Sequence, residues 1–287
     1  VFGDWSSDVC SSDLSLCIQH NKATMAVITL LTDFGFKDGF TGVMRGVILG
    51  IAPDATIVDI SHAISPQNVL EGSLVLAKSG PYFPAGAIHV AVVDPGVGTA
   101  RRPLAARIGS QYFVGPDNGL FTGVIEAAEK SAQSMTFLHL NKPEYWLGEV
   151  SRSFHGRDIF APVAAHLAKG VKLEDMGEVI TDPAHIMIPR PEATADGWAG
   201  QVLAVDHFGN LLTNLTPEHI VPEKSLSISI GEARVDGLVK TFGERESGSV
   251  IAMIDSSGSL AIAVVNGSAA EKLKVDVGTS VALKCCR

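Results

Sequence analysis

Residues 88–102 read IHVAVVDPGVGTARR: an apolar run broken only by His89, then an aspartate, two glycines one residue apart, and a pair of arginines. A near-continuous apolar run marks a strand buried on both faces of a parallel sheet, because a half-solvated strand would alternate. The same signature occurs upstream in AVITLLTD, residues 26–33, and more weakly in TIVDIS, residues 56–61. Between these strands lie helical stretches: GFTGVMRGVILGIAP, stopped by Pro53, and NVLEGSLVLAKSG, ending at a Gly-Pro break. Strand alternating with helix implies right-handed crossovers and a layered α/β domain with a mainly parallel sheet.

Downstream, RPLAARI and QYFVGPDNG read as shorter strands, followed by a helix around Leu120 to Glu129. DIFAPVAAHLAKG, residues 158–170, reads as a further helix with Gly170 as its stop. The Pro-rich PRPEA at 189–193 marks a boundary, and beyond it the pattern changes to short strands and turns: GQVLAVD, LSISI, SVIAMID, SLAIAVV and TSVALK. The expectation is an N-terminal α/β domain over 25–192 and a smaller, barrel-like all-β domain over 193–287. Residues 1–24 stand apart: VFGDWSSDVCSSDL is Ser/Asp-rich, nearly repeats itself, lacks the blocks of a signal peptide and looks non-native. The body is expected to begin near Met25, with the leader poorly ordered.

The 287 residues, 46% of them hydrophobic, suffice for a large core. No apolar run approaches the ~20 residues needed to span a bilayer, so the chain reads as soluble with no membrane partner. A net charge of −9 argues against nucleic acid as a partner, which calls for a basic face. Cys10, Cys17, Cys285 and Cys286 sit at the extremes and match neither a disulfide framework nor a zinc knuckle. A reducing cytoplasm is the natural location.

Asp33, Asp59 and Asp94 each close one of the first three strands. Each alone could start a turn or cap a helix. Together they fall on the carboxyl edge of a parallel sheet, where ligands of open α/β folds bind. The glycines after Asp94 fit neither GxxxxGK[ST] nor GxGxxG, so the loop is no phosphate cradle. Gly96 and Gly98 instead permit tight turning beside Asp94, and Arg101 is close enough to fold back over the loop. A second constellation is SFHGRDIF, 153–160, where His155 precedes Gly156 and Asp158 opens a helix, either as an N-cap with a surface histidine or as a tuned histidine facing the sheet edge. A third is VDHFGNLLTN, 205–214, where Asp206, Phe208 and Asn210 combine an acid, a ring and an amide. A hairpin explains Gly209 and Asn210 but leaves Phe208 unexplained.

TDFG at 32–35, VDPGVGTARR at 93–102, FHGRD at 154–158, DHFGN at 206–210 and DSSG at 255–258 together resemble the S-adenosyl-L-methionine (SAM) hydroxide adenosyltransferases, relatives of the fluorinating and chlorinating SAM enzymes. The resemblance runs in order over nearly all of residues 26–275. It implies an N-terminal α/β domain, a C-terminal β-barrel, and a homotrimer with active sites between one subunit's N-terminal and another's C-terminal domain. It implies hydrolysis of SAM to adenosine and methionine with no cofactor and no metal. On the matching positions it implies a water-handling set of Asp94, Arg101 and His155. Asp33 would hold the ribose hydroxyls, Asp206 and Ser256 the methionine amine and carboxylate, Asn210 the adenosine end, and Phe242 the adenine face. Where the fluorinating relative carries a Tyr and a Ser around its halide, this chain has Asp94 and Gly156, and Gln67 stands in place of a Trp. An acid in a polar pocket is unsuited to a bare halide.

The groups also suggest the chemistry. A sulfonium leaves as neutral methionine, so no acid is needed at the leaving group, and the difficulty lies in activating water. Arg101 can stabilise a developing hydroxide and Asp94 or His155 can take its proton; the residues leave open which. Three other readings compete. Asp33, Asp59, His62, Asp94 and His155 could form an oxygen-rich metal site for a metal-dependent hydrolase. The chain could also be a non-enzymatic SAM or adenosine sensor, or a halogenase.

Overall fold

The computed structural model describes residues 26–220 and 225–286. The leader, Cys10 and Cys17 fall outside the described residues. Seven strands form the first sheet: β1 (Val27–Thr32), β2 (Thr56–Ser61), β3 (Ile88–Val92), β4 (Pro103–Ile108), β5 (Gln111–Pro116), β6 (Met135–His139) and β7 (Glu178–Ile180). Their order is β2-β1-β3-β5-β4-β6-β7. Four helices cover it: α1 (Phe40–Ile51), α2 (Val69–Ser79), α3 (Thr122–Lys130) and α4 (Ala161–Ala168).

The sheet is mixed rather than mainly parallel. β2, β1, β3 and β5 run parallel, whereas the β5–β4, β4–β6 and β6–β7 pairs are antiparallel. The cause is local: only Gly109 and Ser110 separate β4 from β5, and a connection that short can only fold the chain back on itself. The parallel half explains the unbroken apolar runs. Ile28, Leu30, Ile88, Val90 and Val92 pack towards α1 and α4, while Leu31, Ala91 and Val93 point to the opposite face, under α2 and α3. From β1 the chain passes to β2 on one side and then to β3 on the other, so the carboxyl ends of β1 and β3 flank a topological switch point.

The second sheet contains β8 (Glu192–Thr194), β9 (Gly197–Val205), β10 (Leu211–Thr213), β11 (Ser225–Ile230), β12 (Ala233–Asp236), β13 (Val250–Ile254), β14 (Leu260–Val264) and β15 (Ser280–Cys286), with α5 (Ala269–Leu273) beside it. Every pair is antiparallel, in the order β12-β11-β15-β9-β10-β14-β13, and β8 attaches to β9. The ends nearly meet: just past β12, the Val239 amide donates to the Ala252 carbonyl of β13 at 2.9 Å. The result is an almost closed barrel that leaves little free edge. Its interior, with Val202, Leu211, Ile228, Ile262 and Leu283, is separate from the two clusters of the first sheet. No helix among the described residues is long and apolar enough to cross a membrane.

Candidate active site

Two cavities hold most of the residues singled out above, though not Asp59, His62 or Arg101, and they share no lining residue. The first, about 400 Å³, opens at the switch point and is lined by Asp33, Gln67, Asp94, His155 and Gly156, with Phe34, Phe40 and Phe154 among its apolar walls. Asp94 follows β3 and is joined by Arg101, whose Nε donates to Oδ1 at 3.2 Å while Nη2 donates to Oδ2. Both side chains are almost wholly buried, so the pair works in a low-dielectric setting. The same Nη2 lies 3.1 Å from His155 Nδ1. A guanidinium can only donate, so His155 Nδ1 accepts and its ring proton sits on Nε2. Burial, and then the adjacent Arg101 charge, lower the proton affinity of His155, with Asp94 and Asp158 opposing. Arg101 Nη1 is buried with no hydrogen-bond partner among the described residues.

Two local devices assemble this cluster. Gly98 has φ +75°, and a Cβ there would lie 2.2 Å from the Arg152 carbonyl oxygen. That glycine lets the loop after β3 touch the backbone of 151–156 and so brings His155 to Arg101. A Cβ at Gly96 would meet only ordinary contacts, so the clearance expected of both glycines belongs to Gly98 alone. Asp158 is not a helix cap. It is fully buried inside a π-helical turn, Gly156–Phe160, that runs into α4. Its carboxylate accepts from the Ser151 amide at 2.8 Å and pins the loop that carries His155. Arg102, the second arginine of the pair, turns away to Asp117 and Asp182.

Asp33 Oδ2 accepts from the Gln67 backbone amide at 2.8 Å, and Oδ1 accepts no hydrogen bond among the described residues. Gln67 has φ +63°, a left-handed conformation costing roughly 1–2 kcal/mol in a non-glycine residue. Asp33 thus clamps a strained loop as well as facing the cavity.

Asp59 and His62 do not converge on this site. β2 continues to Ser61 through a register shift opposite Leu30/Leu31, so Asp59 lies within the strand rather than at its end. Asp59 pairs with Arg45, His62 Nε2 stands 3.1 Å from Asp59 Oδ1, and His62 Nδ1 stands 2.8 Å from Thr32 Oγ1. Thr32 Oγ1 in turn accepts from the Phe34 amide at 3.2 Å. The hydrogen-bonded His62–Thr32–Phe34 part of this arrangement, missed in the sequence, braces the TDFG turn from behind. Among the described residues no group of three or more His, Cys, Asp or Glu side chains is arranged to hold a metal ion. The five-residue metal set is therefore not assembled.

The second cavity, about 860 Å³, is lined by Asp206, Phe208, Asn210, Phe242 and Ser256, with Leu212, Met253, Ala261 and Ala263 along its floor. It lies between two turns of the same construction. In one, the Gly209 amide bonds to the Asp206 carbonyl, and Asp206 Oδ1 accepts from the amides of Phe208 and Asn210 at 2.9 and 2.8 Å. In the other, Gly258 bonds to the Asp255 carbonyl, and Asp255 Oδ1 accepts from Ser257 and Ser259 at 2.9 and 2.8 Å. The two glycines have φ +82° and +80°. DHFGN and DSSGS are one turn used twice, a repeat the sequence carries in two disguises. The hairpin reading of Gly209 and Asn210 therefore holds alongside the cavity, and Phe208, largely exposed, is the residue the turn presents. Asp255 and Lys78, also on the lining, were not singled out in the sequence.

Comparison with known proteins bears on both cavities. The SAM hydroxide adenosyltransferase N-terminal domain model matches residues 28–177, and the corresponding C-terminal domain model matches 200–282. A protein of Salinispora arenicola named (R)-S-adenosyl-L-methionine hydrolase is 42% identical over 255 residues, spanning 88% of this chain and 95% of that protein. A fluorinase of Nocardia brasiliensis is 29% identical over 296 residues, 90% and 96% of the two chains. The crystal structure of an uncharacterized conserved protein from Thermotoga maritima superposes with a TM-score of 0.82 at 34% identity, covering 91% of this chain and all of that one.

Proposed function

The chain belongs to the SAM hydroxide adenosyltransferase family, and on that premise we propose that it hydrolyses SAM to adenosine and L-methionine by in-line attack of water on the ribose C5′. The observation that carries the reading is the buried Asp94–Arg101 pair with the half-buried His155 beside it at the switch point. With His155 Nδ1 accepting from Arg101, the group left to take a proton from water is Asp94, while the Arg101 charge stabilises the developing hydroxide. His155 holds Arg101 in place and offers Nε2–H as a donor. Hydroxide and sulfonium annihilate charge as they react, so a water-poor pocket favours the transition state. Holding the water in line with the C5′–S bond is worth up to ~7–11 kcal/mol in model systems.

Asp33 binds the ribose diol, Phe242 and Phe208 flank the adenine, Asn210 meets the adenosine end, and Asp206 with Ser256 binds the methionine head. These groups occupy two cavities with no lining residue in common, which supports a complete site formed between copies in a homotrimer. The exposed apolar side chains of Phe36, Phe40 and Val43 beside the first cavity fit an interface of that kind. The chain divides at 192/193, works without a metal, and acts in the cytoplasm.

Incubation with SAM and chromatography of the products tests the activity. Adenosine and methionine are expected in equal amounts, undiminished by EDTA. Binding without products would make the chain a sensor, and loss of activity on chelation would restore the metal reading. A 5′-halogenated nucleoside formed in chloride or fluoride would make it a halogenase, which Asp94 and Gly156 disfavour.

A further inference from the structure

The amino-acid head of SAM is a zwitterion, and a site that removes it from water must answer both charges. Among the described residues lining the second cavity, the charged ones are Asp206, Asp255 and Lys78. Asp206 and Asp255 supply negative charge, and both carboxylates are already engaged in their turns. Lys78 supplies the cation. It comes from the last turn of α2, outside the second sheet altogether, and its Nζ donates to Ser257 Oγ at 2.9 Å and Ser259 Oγ at 3.4 Å.

A lysine in a last helical turn is ordinarily explained by the helix dipole and solvent. Lys78 departs from that account. Although the residue as a whole is exposed, desolvation lowers its ammonium below the ordinary lysine value, with the Asp255 charge opposing. Its two hydrogen-bond partners among the described residues are neutral hydroxyls, which orient an ammonium without cancelling its charge. The Ser257 hydroxyl lies 2.8 Å from each Asp255 oxygen, so that acid reaches Lys78 through an intermediary. An ammonium has three donors, and two are used. The third is free for an anion at Ser256, the neighbouring lining residue.

We propose that Lys78 is a specificity residue whose ammonium pairs with the α-carboxylate of the substrate's amino-acid end, leaving Asp206 for the α-ammonium. This rests on the reading of the second cavity as the methionine-binding half, and it adds a residue from α2 to that half. It also joins the two sheets functionally, because α2 packs on the first sheet while its lysine serves a cavity of the second.

The test compares SAM with its decarboxylated analogue, which keeps the sulfonium, ribose and adenine, in calorimetric titrations of the full chain. The native chain is expected to bind SAM at least tenfold more tightly than the analogue. Lys78→Met is expected to weaken SAM about tenfold and the analogue less than twofold, while Lys78→Arg retains the preference. Equal weakening of both ligands in Lys78→Met would reduce Lys78 to a strut for the 255–259 turn and overturn the proposal. So would a native chain with no preference for SAM, a result that needs no variant to fold. A native chain that binds SAM with the expected preference but releases no adenosine would remove the hydrolase reading and leave Lys78 standing.

Discussion

The two cavities use the same residue type in opposite ways. In the first, Asp94 is bound by an arginine and a histidine lies beside the pair, so its charge is held by other charged or titratable side chains. In the second, Asp206 and Asp255 accept from backbone amides of their own turns, so their charge shapes a loop. The difference follows from the folds. A strand end at a switch point has neighbours from several elements that can supply side chains, whereas a hairpin tip has mainly its own backbone. That contrast favours the proposed division, with chemistry in the first cavity and recognition in the second.

The largest effect expected from that contrast is a split between kcat and KM. Asp94→Asn keeps the shape but removes the proton acceptor and leaves Arg101 with a weaker partner, so kcat should fall about a thousandfold with little change in SAM affinity. Asp206→Asn loosens a turn and weakens the head-group contact, so KM should rise about tenfold with kcat within threefold. Mixing the two variants under conditions that exchange subunits should recover activity, because some sites then combine an intact first cavity with an intact second. Steady-state kinetics of each variant and of the mixture decide this, and no recovery would place the whole site within one chain.

The next effect is on stability in acid. Burial pushes His89, in β3 and stacked on Phe113 of β5, down to about 4, and it lowers His62 and His155 as well. A histidine whose folded value lies below its unfolded ~6.5 binds fewer protons when folded, so stability is full above that value and drains as pH falls. His89 alone accounts for about 3 kcal/mol lost between roughly pH 6.5 and pH 4. Denaturant titrations at pH 7.5 and 4.5 should show the loss in the native chain and a smaller one in His89→Gln. Equal losses in the two would acquit His89.

Much of this was legible in the residues. The strands announced themselves because burial on both faces leaves no polar alternation, and Asp94, Arg101 and His155 sit on loops whose glycines signal close approach. What stayed hidden depends on contacts between distant parts of the chain. The antiparallel half of the first sheet follows from the Gly109–Ser110 turn, whose length says more than its composition. Asp59 looked like a strand end because nothing local marks the register shift that carries β2 to Ser61. Nothing near Lys78 in the sequence singles it out, since its serine partners lie 179 and 181 residues further on.

The smallest effect sharpens the contrast most finely, because it compares the same substitution in both regions. Gly98 and Gly258 have φ of +75° and +80°, so alanine pays a similar backbone strain at either, about 1 kcal/mol. Their surroundings differ. A methyl at Gly258 meets nothing within 4 Å, whereas one at Gly98 falls 2.2 Å from the Arg152 carbonyl oxygen, a backbone atom that cannot swing aside. Gly258→Ala should therefore cost about 1 kcal/mol of stability and leave kcat within twofold. Gly98→Ala must move the 151–156 loop and with it His155, which breaks the Arg101–His155 contact and should lower kcat about tenfold beyond its cost in stability. Equal kcat in the two variants would mean that His155 tolerates displacement, and catalysis would then rest on Asp94 and Arg101 without it.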